Sequence, residues 1–327
     1  MTIKEKNVLI VGGCGFIGSN LAKECIDRGA NVTIFDSLDP NLNANLANLE
    51  DIGLIRVVKG DTRNFSEISR EIKDRDIIFN CAGQTSHSLS MKDPYLDLDV
   101  NCRGTLNILE ALRQFNIKAR VVYIGTSTQT GKMQYSPLDE KHPEFPLDIY
   151  SAHKVIAEKY HFIYHKMYDV KATVLRCPNC YGPRAPIGSR EYGFLHYFIG
   201  LALQNKQLTL FGEGNQKRNI IYVRDLVNAL IKISQADNTI GETYFIGGER
   251  QYSLKEVAHT IVRLFGGSIK NAEWPEDKKR MEIGDVEISS DKLKGAINWE
   301  PRYTLEKGLK ETKDYFCDRL DKYLLKI

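Results

Sequence analysis

Short apolar runs alternate with longer segments of mixed polarity through the first half of the chain. Val8 to Val11 is one such run, and it leads directly into Gly12-Gly13-Cys14-Gly15. The pattern from Ile17 to Arg28 predicts a helix, ended by Gly29. Further strands are predicted at Asn31 to Phe35, Ile55 to Val58, Ile77 to Phe79, Val121 to Ile124 and Lys171 to Leu175. Long helices are predicted at Val100 to Phe115 and Ile149 to Tyr168. Strands that are apolar at almost every position must be covered on both faces. Alternating with helices, they predict a parallel, doubly wound α/β sheet.

After Tyr181-Gly182-Pro183 the pattern loosens, and Pro183, Pro186 and Gly188 punctuate a loop. A helix from about Phe194 to Asn205 and strands at Leu208 to Phe211, Ile220 to Val223 and Thr243 to Ile246 follow. From Ser253 the tail reads as mostly helical. The expected organisation is a dinucleotide-binding domain over residues 1–180, with returning segments near 218–248. An interleaved, smaller mixed α/β cap over residues 181–327 would bind substrate.

The candidate chemistry begins at Gly12-x-x-Gly15-x-x-Gly18, between a predicted strand and a predicted helix. Glycines there allow a tight turn, close approach of a pyrophosphate to backbone N–H groups, and close helix–strand packing. Asp36 ends the next strand, at the separation expected for a carboxylate that binds the ribose hydroxyls of NAD. The same carboxylate repels the extra phosphate of NADP, and no Arg immediately follows it. The expected fold is therefore of the Rossmann type and the expected cofactor is NAD.

Tyr150-Ser151-Ala152-His153-Lys154 opens the second long helix. Residues four apart share a helix face, so the Lys154 ammonium can stand beside the Tyr150 phenol or a ligand next to it. A phenol titrates at about 10 when unperturbed, and a nearby cation lowers that value. The positive nicotinamide ring of NAD would add to this. So tuned, Tyr150 can take a proton from a substrate hydroxyl while hydride leaves for the cofactor.

Charge and cysteine content remove other classes. With 45 Lys and Arg against 42 Asp and Glu, the chain has no basic stripe of the kind nucleic acid requires. The run Lys278-Lys279-Arg280 is too short to alter that. No apolar stretch reaches the roughly 18 residues that span a bilayer. No secretory leader precedes the first strand, and the seven Cys are odd in number and scattered, which points to free thiols in a cytoplasmic protein. Cys177-Pro178-Asn179-Cys180 lacks the second pair that structural zinc needs, so it reads as two ordinary buried thiols, and no metal is expected.

The combination of Gly12-x-x-Gly15-x-x-Gly18, Asp36 and Tyr150-x-x-x-Lys154 resembles the NAD-dependent epimerase/dehydratase branch of the extended short-chain dehydrogenases. So do Gly60-Asp61, Cys81-Ala82-Gly83-Gln84, Asn101-Cys102-Arg103-Gly104-Thr105, Leu175-Arg176-x-x-Asn179-x-Tyr181-Gly182-Pro183 and Arg218-x-x-x-Tyr222-Val223-x-Asp225. The resemblance runs from about residue 6 to about residue 312. It implies that Asp61 contacts the adenine and that Ala82, Gly83 and Gln84 line the cofactor, with Asn101 in support. Phe16, Ile17, Thr62 and Cys177 join the implied cofactor set. Thr126 falls at the family's catalytic Ser or Thr, five residues before Gly131. Gln84, Thr126, Asn179 and Arg218 are the implied substrate contacts, the last two facing a nucleotide diphosphate. Arg suits that task because its planar fork pairs two phosphate oxygens. His87 would give a supporting hydrogen bond, His153 and His161 would face solvent or the domain surface, and Trp299 would be a packing element.

The pattern departs from the family in two places. Dehydratases of this branch carry Asp-Glu directly after the catalytic Ser or Thr, and the related decarboxylases keep a Glu at the second position; here stand Ser127 and Thr128. A hydroxyl cannot replace a carboxylate in eliminating water. Related 4-epimerases place an Arg three residues before the acid at Asp285, where this chain has Glu282; Arg280 would be the substitute. The expected activity is NAD-dependent epimerisation of a nucleotide-linked sugar, at C4, through a transient keto-sugar. The alternatives are a nucleotide-sugar dehydrogenase or ketoreductase, a 4,6-dehydratase, or a non-catalytic NAD-binding regulator, which would not need Thr126, Tyr150 and Lys154 together. A homodimer is expected through the two long helices, on which Leu106, Ile108, Phe162 and Ile163 lie beyond one core-facing stripe.

Overall fold

Both faces of the first strand are buried, and they feed two separate cores. In β1 (Asn7–Val11), Val8 and Ile10 join one core while Leu9 and Val11 join the other. That is what a period of two produces when helices cover both sides. The structure, a computed structural model, describes residues 2–280 and 282–324; the side chains of Asp277 and Lys278 lie outside the described residues. Of the basic run, Lys279 and Arg280 are exposed.

The remaining strands are β2 (Asn31–Asp36), β3 (Arg56–Lys59), β4 (Ile77–Asn80), β5 (Arg120–Thr126), β6 (Lys171–Cys177), β7 (Asn179–Tyr181), β8 (Gln207–Phe211), β9 (Lys217–Tyr222), β10 (Thr243–Phe245), β11 (Gln251–Ser253) and β12 (Ser268–Ala272). Six of them join β1 in one parallel sheet in the order β10-β6-β5-β4-β1-β2-β3. The order reverses direction at β1, between β4 and β2. A crevice opens there beyond the carboxyl ends of the strands, where doubly wound sheets bind ligands. Helices Phe16–Asp27 and Val223–Ile233 cover one face, and Phe65–Ile72, Gly104–Phe115 and Ile149–Tyr168 pack on the other.

Beyond β6 the chain builds a three-stranded sheet, β11-β9-β7, and a two-stranded one, β12-β8. Helices Phe194–Leu203, Leu254–Phe265 and Leu305–Cys317 pack with them. β7, β11 and β12 were not expected from the sequence pattern. Two are only three residues long, and β12 is half-exposed, so none carries an apolar repeat. The helix expected from Val100 starts in a wide turn of π type over Leu98–Arg103 and becomes regular at Gly104. Trp299 is buried and donates its indole N–H to the Asp225 carbonyl at 3.2 Å, in keeping with a packing role.

Two surface expectations are corrected. His161 is buried, stacked on Tyr123 at 4.5 Å, and burial pushes its imidazole down to about 4. His153 is mostly covered and turns to Asp97. Of the apolar residues expected outside the core, Ile108 belongs to it and Leu106 is half-buried, whereas Phe162 and Ile163 are exposed.

Candidate active site

The glycine loop does what its spacing predicts. Gly12 lies at φ +77°, in the left-handed region, and a side chain there would strike the Ala82 backbone at 2.7 Å. A Cβ on Gly18 would meet the Gly12 carbonyl at 2.3 Å, so the helix start can approach the loop only with glycine. Gly15 begins helix Phe16–Asp27 without a side-chain cap. A helix N-terminus of this kind favours an anion. Asp36 ties β2 to the loop: its two carboxylate oxygens accept from the Cys14 and Leu38 N–H groups, each at 2.9 Å.

Two connected hollows lie along this loop. The larger is a cleft of about 240 Å³ lined by Gly12, Gly15, Phe16, Ile17, Gly18, Ala82, Gly83, Thr126, Tyr150, Lys154, Cys177 and Asn179, all expected from the sequence. The smaller, about 70 Å³, shares Gly12, Gly15, Ala82 and Gly83 and is lined by Asp36, Asp61 and Thr62. A dinucleotide fits this arrangement: carboxylates at one end, a glycine cradle in the middle, and the Tyr–Lys pair at the other end. Asp61 is gripped by Arg63 at 2.6 Å; burial pulls its carboxyl up, but Arg63 outweighs that and holds it below the usual range.

At the chemical end, Thr126 closes β5 and lines the cleft together with Tyr150. Thr126 Oγ1 also lies 3.0 Å from Thr128 Oγ1, which lies 2.9 Å from Ser151 Oγ. Asp148 caps helix Ile149–Tyr168, accepting from the Ser151 N–H at 2.7 Å, and its other oxygen holds His87 Nδ1 at 2.7 Å. His87 then meets the Tyr150 ring edge-on at 4.8 Å.

The electrostatics differ from expectation in one respect. Burial pushes the Tyr150 phenol well above its ordinary range, opposed by the Thr126 hydroxyl and reinforced by Asp148 and Asp97. The Lys154 ammonium is turned to other partners in this structure. The ammonium donates to the Ile124 carbonyl at 2.6 Å and lies over the Tyr123 ring, 4.2 Å from its centre. Burial brings Lys154 itself down to about 8, against the pull of Asp97.

Three expected contacts stand outside the cleft lining. Gln84 is buried, and its amide faces inward, donating to Asp97 at 2.7 Å and to the Ser86 carbonyl at 2.9 Å; every polar atom it offers is used within the protein. Asn101 sits behind Gly83 and donates to the Gln84 carbonyl at 3.0 Å. Arg218 is buried and bound to the Glu282 carboxylate and the Gly284 carbonyl, so the acid found where relatives have Arg engages the very guanidinium expected to face a diphosphate. Arg280 is exposed.

Sequence reasoning missed the segment over Ser189 to Gly193. Tyr192 and Gly193 line the cleft, and the Tyr192 hydroxyl donates to the Asn41 carbonyl at 3.1 Å. Glu191 accepts from Ser86 at 2.9 Å and from Ser88. The segment thus crosses from one wall to the other. Its only sequence signal was the Pro and Gly punctuation of the loop. Cys177 and Cys180 are free thiols, and among the described residues no group of three or more His, Cys, Asp or Glu could hold a metal.

Comparison with known proteins agrees with this geometry. The model of the NAD dependent epimerase/dehydratase family matches residues 8–247. A putative UDP-glucose 4-epimerase of Methanocaldococcus jannaschii is 30% identical over 312 residues, 94% of this chain and 97% of that one. CDP-paratose 2-epimerase of Salmonella typhi is 27% identical, covering 94% and 98%. The crystal structure of dTDP-glucose 4,6-dehydratase from Bacillus anthracis, in complex with NAD, superposes with a TM-score of 0.83 at 27% identity, covering 97% and 98%. The chain belongs to the NAD-dependent epimerase/dehydratase family and is an NAD-dependent enzyme.

Proposed function

We propose that this enzyme epimerises a nucleotide-linked sugar, at C4, through a transient keto-sugar. One observation supports epimerisation over dehydration: the described lining of the cleft contains no Asp or Glu. Where dehydratases of this family carry carboxylates, Thr128 bonds Thr126 and Ser151. Asp148, which caps the catalytic helix, is occupied by the helix N-terminus and His87. Oxidation and re-reduction at one carbon need no further acid.

NAD, when bound, supplies the hydride acceptor and donor. Tyr150 takes the proton from the sugar hydroxyl and returns it, and Thr126 shares a hydrogen bond with the same oxygen. Lys154 would hold the nicotinamide ribose and favour the phenolate. Asn179 meets the nucleotide end of the substrate. For Arg218 to hold a diphosphate, Glu282 must release it.

The test is a panel of UDP-, GDP-, CDP- and dTDP-sugars, with products followed by NMR. Interconversion of C4 epimers without net NADH is expected. A 4-keto-6-deoxy product overturns the reaction class, and steady NADH release favours a dehydrogenase. No helix among the described residues is long and apolar enough to cross a membrane, and seven free thiols suit a reducing cytoplasm.

The enzyme is also expected to be a homodimer. Ile156, Phe162, Ile163 and Met167 form an exposed apolar set on helix Ile149–Tyr168, with Phe115 exposed at the end of helix Gly104–Phe115. Light scattering at micromolar concentration checks this, and a monomer refutes it.

A further inference from the structure

Asp97 has no exposed surface, yet its carboxylate gathers side chains from three other places in the fold. Oδ1 accepts from His153 Nδ1 at 2.6 Å and from Asn101 Nδ2 at 3.1 Å. Oδ2 accepts from Gln84 Nε2 at 2.7 Å. A carboxylate only accepts, so His153 must carry its proton on Nδ1. Gln84 follows β4 in the cleft wall, Asn101 lies in the wide turn over Leu98–Arg103, and His153 immediately precedes Lys154. None of the four side chains lines the cleft. A wholly buried carboxylate is costly unless its oxygens are satisfied, and here both are. Such a group, placed behind the acid–base pair and touching no ligand, calls for a role of its own.

We propose that Asp97 is a positioning residue: held by His153, Gln84 and Asn101, its buried carboxylate anchors the first turns of the catalytic helix to the cofactor wall and fixes a negative charge beside the residue that precedes Lys154. This rests on the reading of Tyr150 and Lys154 as the acid–base pair. The other groups around Lys154 are the thiols of Cys81, Cys102 and Cys177, the Tyr123 ring and buried His161. Among these described neighbours Asp97 is the one carboxylate. Around Tyr150 stand Asp97, Asp148, Cys177 and His87, and Asp148 is already engaged by His87 and the helix N-terminus.

The sign of the effect follows. A carboxylate is opposite in charge to the ammonium and favours it, raising the Lys154 pKa. It is like in charge to a phenolate and disfavours it, raising the Tyr150 pKa. Removing the charge at Asp97 therefore lowers both, and the whole pH–activity profile moves to lower pH. A purely structural residue would lower activity at every pH and leave the profile in place.

The test uses protein saturated with NAD and follows the Lys154 Cε resonance by carbon-13 NMR through a pH titration, the signal being assigned by its loss in Lys154→Arg. Asp97→Asn should lower the midpoint by about 1 pH unit. Asp97→Ser, smaller and likewise uncharged, should give the same shift and serves if the amide variant misfolds. Asp97→Glu restores the charge and should keep the wild-type midpoint. Unchanged midpoints in folded Asp97→Asn and Asp97→Ser overturn the proposal, as does Asp97→Glu moving as far as they do. The titration needs no turnover, so its result stands apart from whether a nucleotide sugar is the substrate.

Discussion

Tyr150→Phe should bind NAD as the wild type does and lose turnover by ~10²–10⁴-fold, the usual worth of one positioned acid–base group. The structure explains why the loss should fall on chemistry and not on folding. The Tyr150 ring is buried against His87, and its backbone N–H donates to Ser90 Oγ at 3.1 Å; Phe keeps both features. The substitution deletes only the hydroxyl. Thr126 then keeps Thr128 as a partner at 3.0 Å, so no buried hydroxyl is stranded. Calorimetry with NAD and turnover on the substrate found in the sugar panel separate the two effects. Wild-type turnover in Tyr150→Phe would falsify Tyr150 as the base. Weakened NAD binding with normal turnover would make the residue a cofactor contact only.

What the sequence discloses about this enzyme follows the range of the interactions. Gly12, Gly15 and Gly18 are legible because their demands are local: a left-handed turn and two close approaches that a Cβ would block. Tyr150 and Lys154 are legible because one helix fixes their separation. The strands of the large sheet are legible because burial on both faces writes itself as unbroken apolar runs. The directions in which Gln84 and Arg218 point are not, since each depends on a partner far along the chain. Gln84 turns to Asp97, and Arg218 turns to Glu282, 64 residues away. Glu282 was visible as an anomaly, but its consequence needed the fold. His161 and His153 read as surface residues for a related reason. A 20-residue helix packed against both a sheet and a wide turn buries one face along its length, and the hydrophobic pattern does not mark a buried imidazole as apolar.

Arg176 shows the same limit with a larger energetic consequence. It stood in the family motif without a role, and the structure gives it one. Buried on β6, it donates to Glu158 at 2.6 and 2.9 Å, pairs with Glu144, and lies over the Phe245 ring at 5.0 Å. Glu158 comes from the catalytic helix and also accepts from Gln129, in the turn after Thr126, at 2.7 Å. One guanidinium therefore joins the strand that leads to Asn179, the helix that carries Tyr150 and the turn that follows Thr126. Burial pushes the Glu158 carboxyl up, but Arg176 outweighs it and holds the group below its ordinary range. A depressed folded value means stability that is present above the unfolded pKa and is lost as pH falls through the folded one.

Arg176→Met leaves Glu158 and Glu144 facing each other in a buried site, with Lys159 at the rim. Breaking a buried pair by removing one partner costs about 3–5 kcal/mol, because the remaining charge is uncompensated. In the variant, burial acts on Glu158 unopposed by a guanidinium, so its pKa rises and the site takes up a proton. The loss relative to wild type should thus be greatest at and above neutral pH, shrink as pH falls through the raised Glu158 pKa of the variant, and shrink further below about 4, where the wild-type carboxylate also loses its advantage. Arg176→Met combined with Glu158→Leu removes both buried charges and should recover much of the stability, since an apolar replacement of a buried pair is often neutral or better. Thermal and urea unfolding across pH measure all three proteins. A single variant within 1 kcal/mol of wild type at neutral pH, or a double variant no more stable than the single, would show that the pair is not what holds these three elements together.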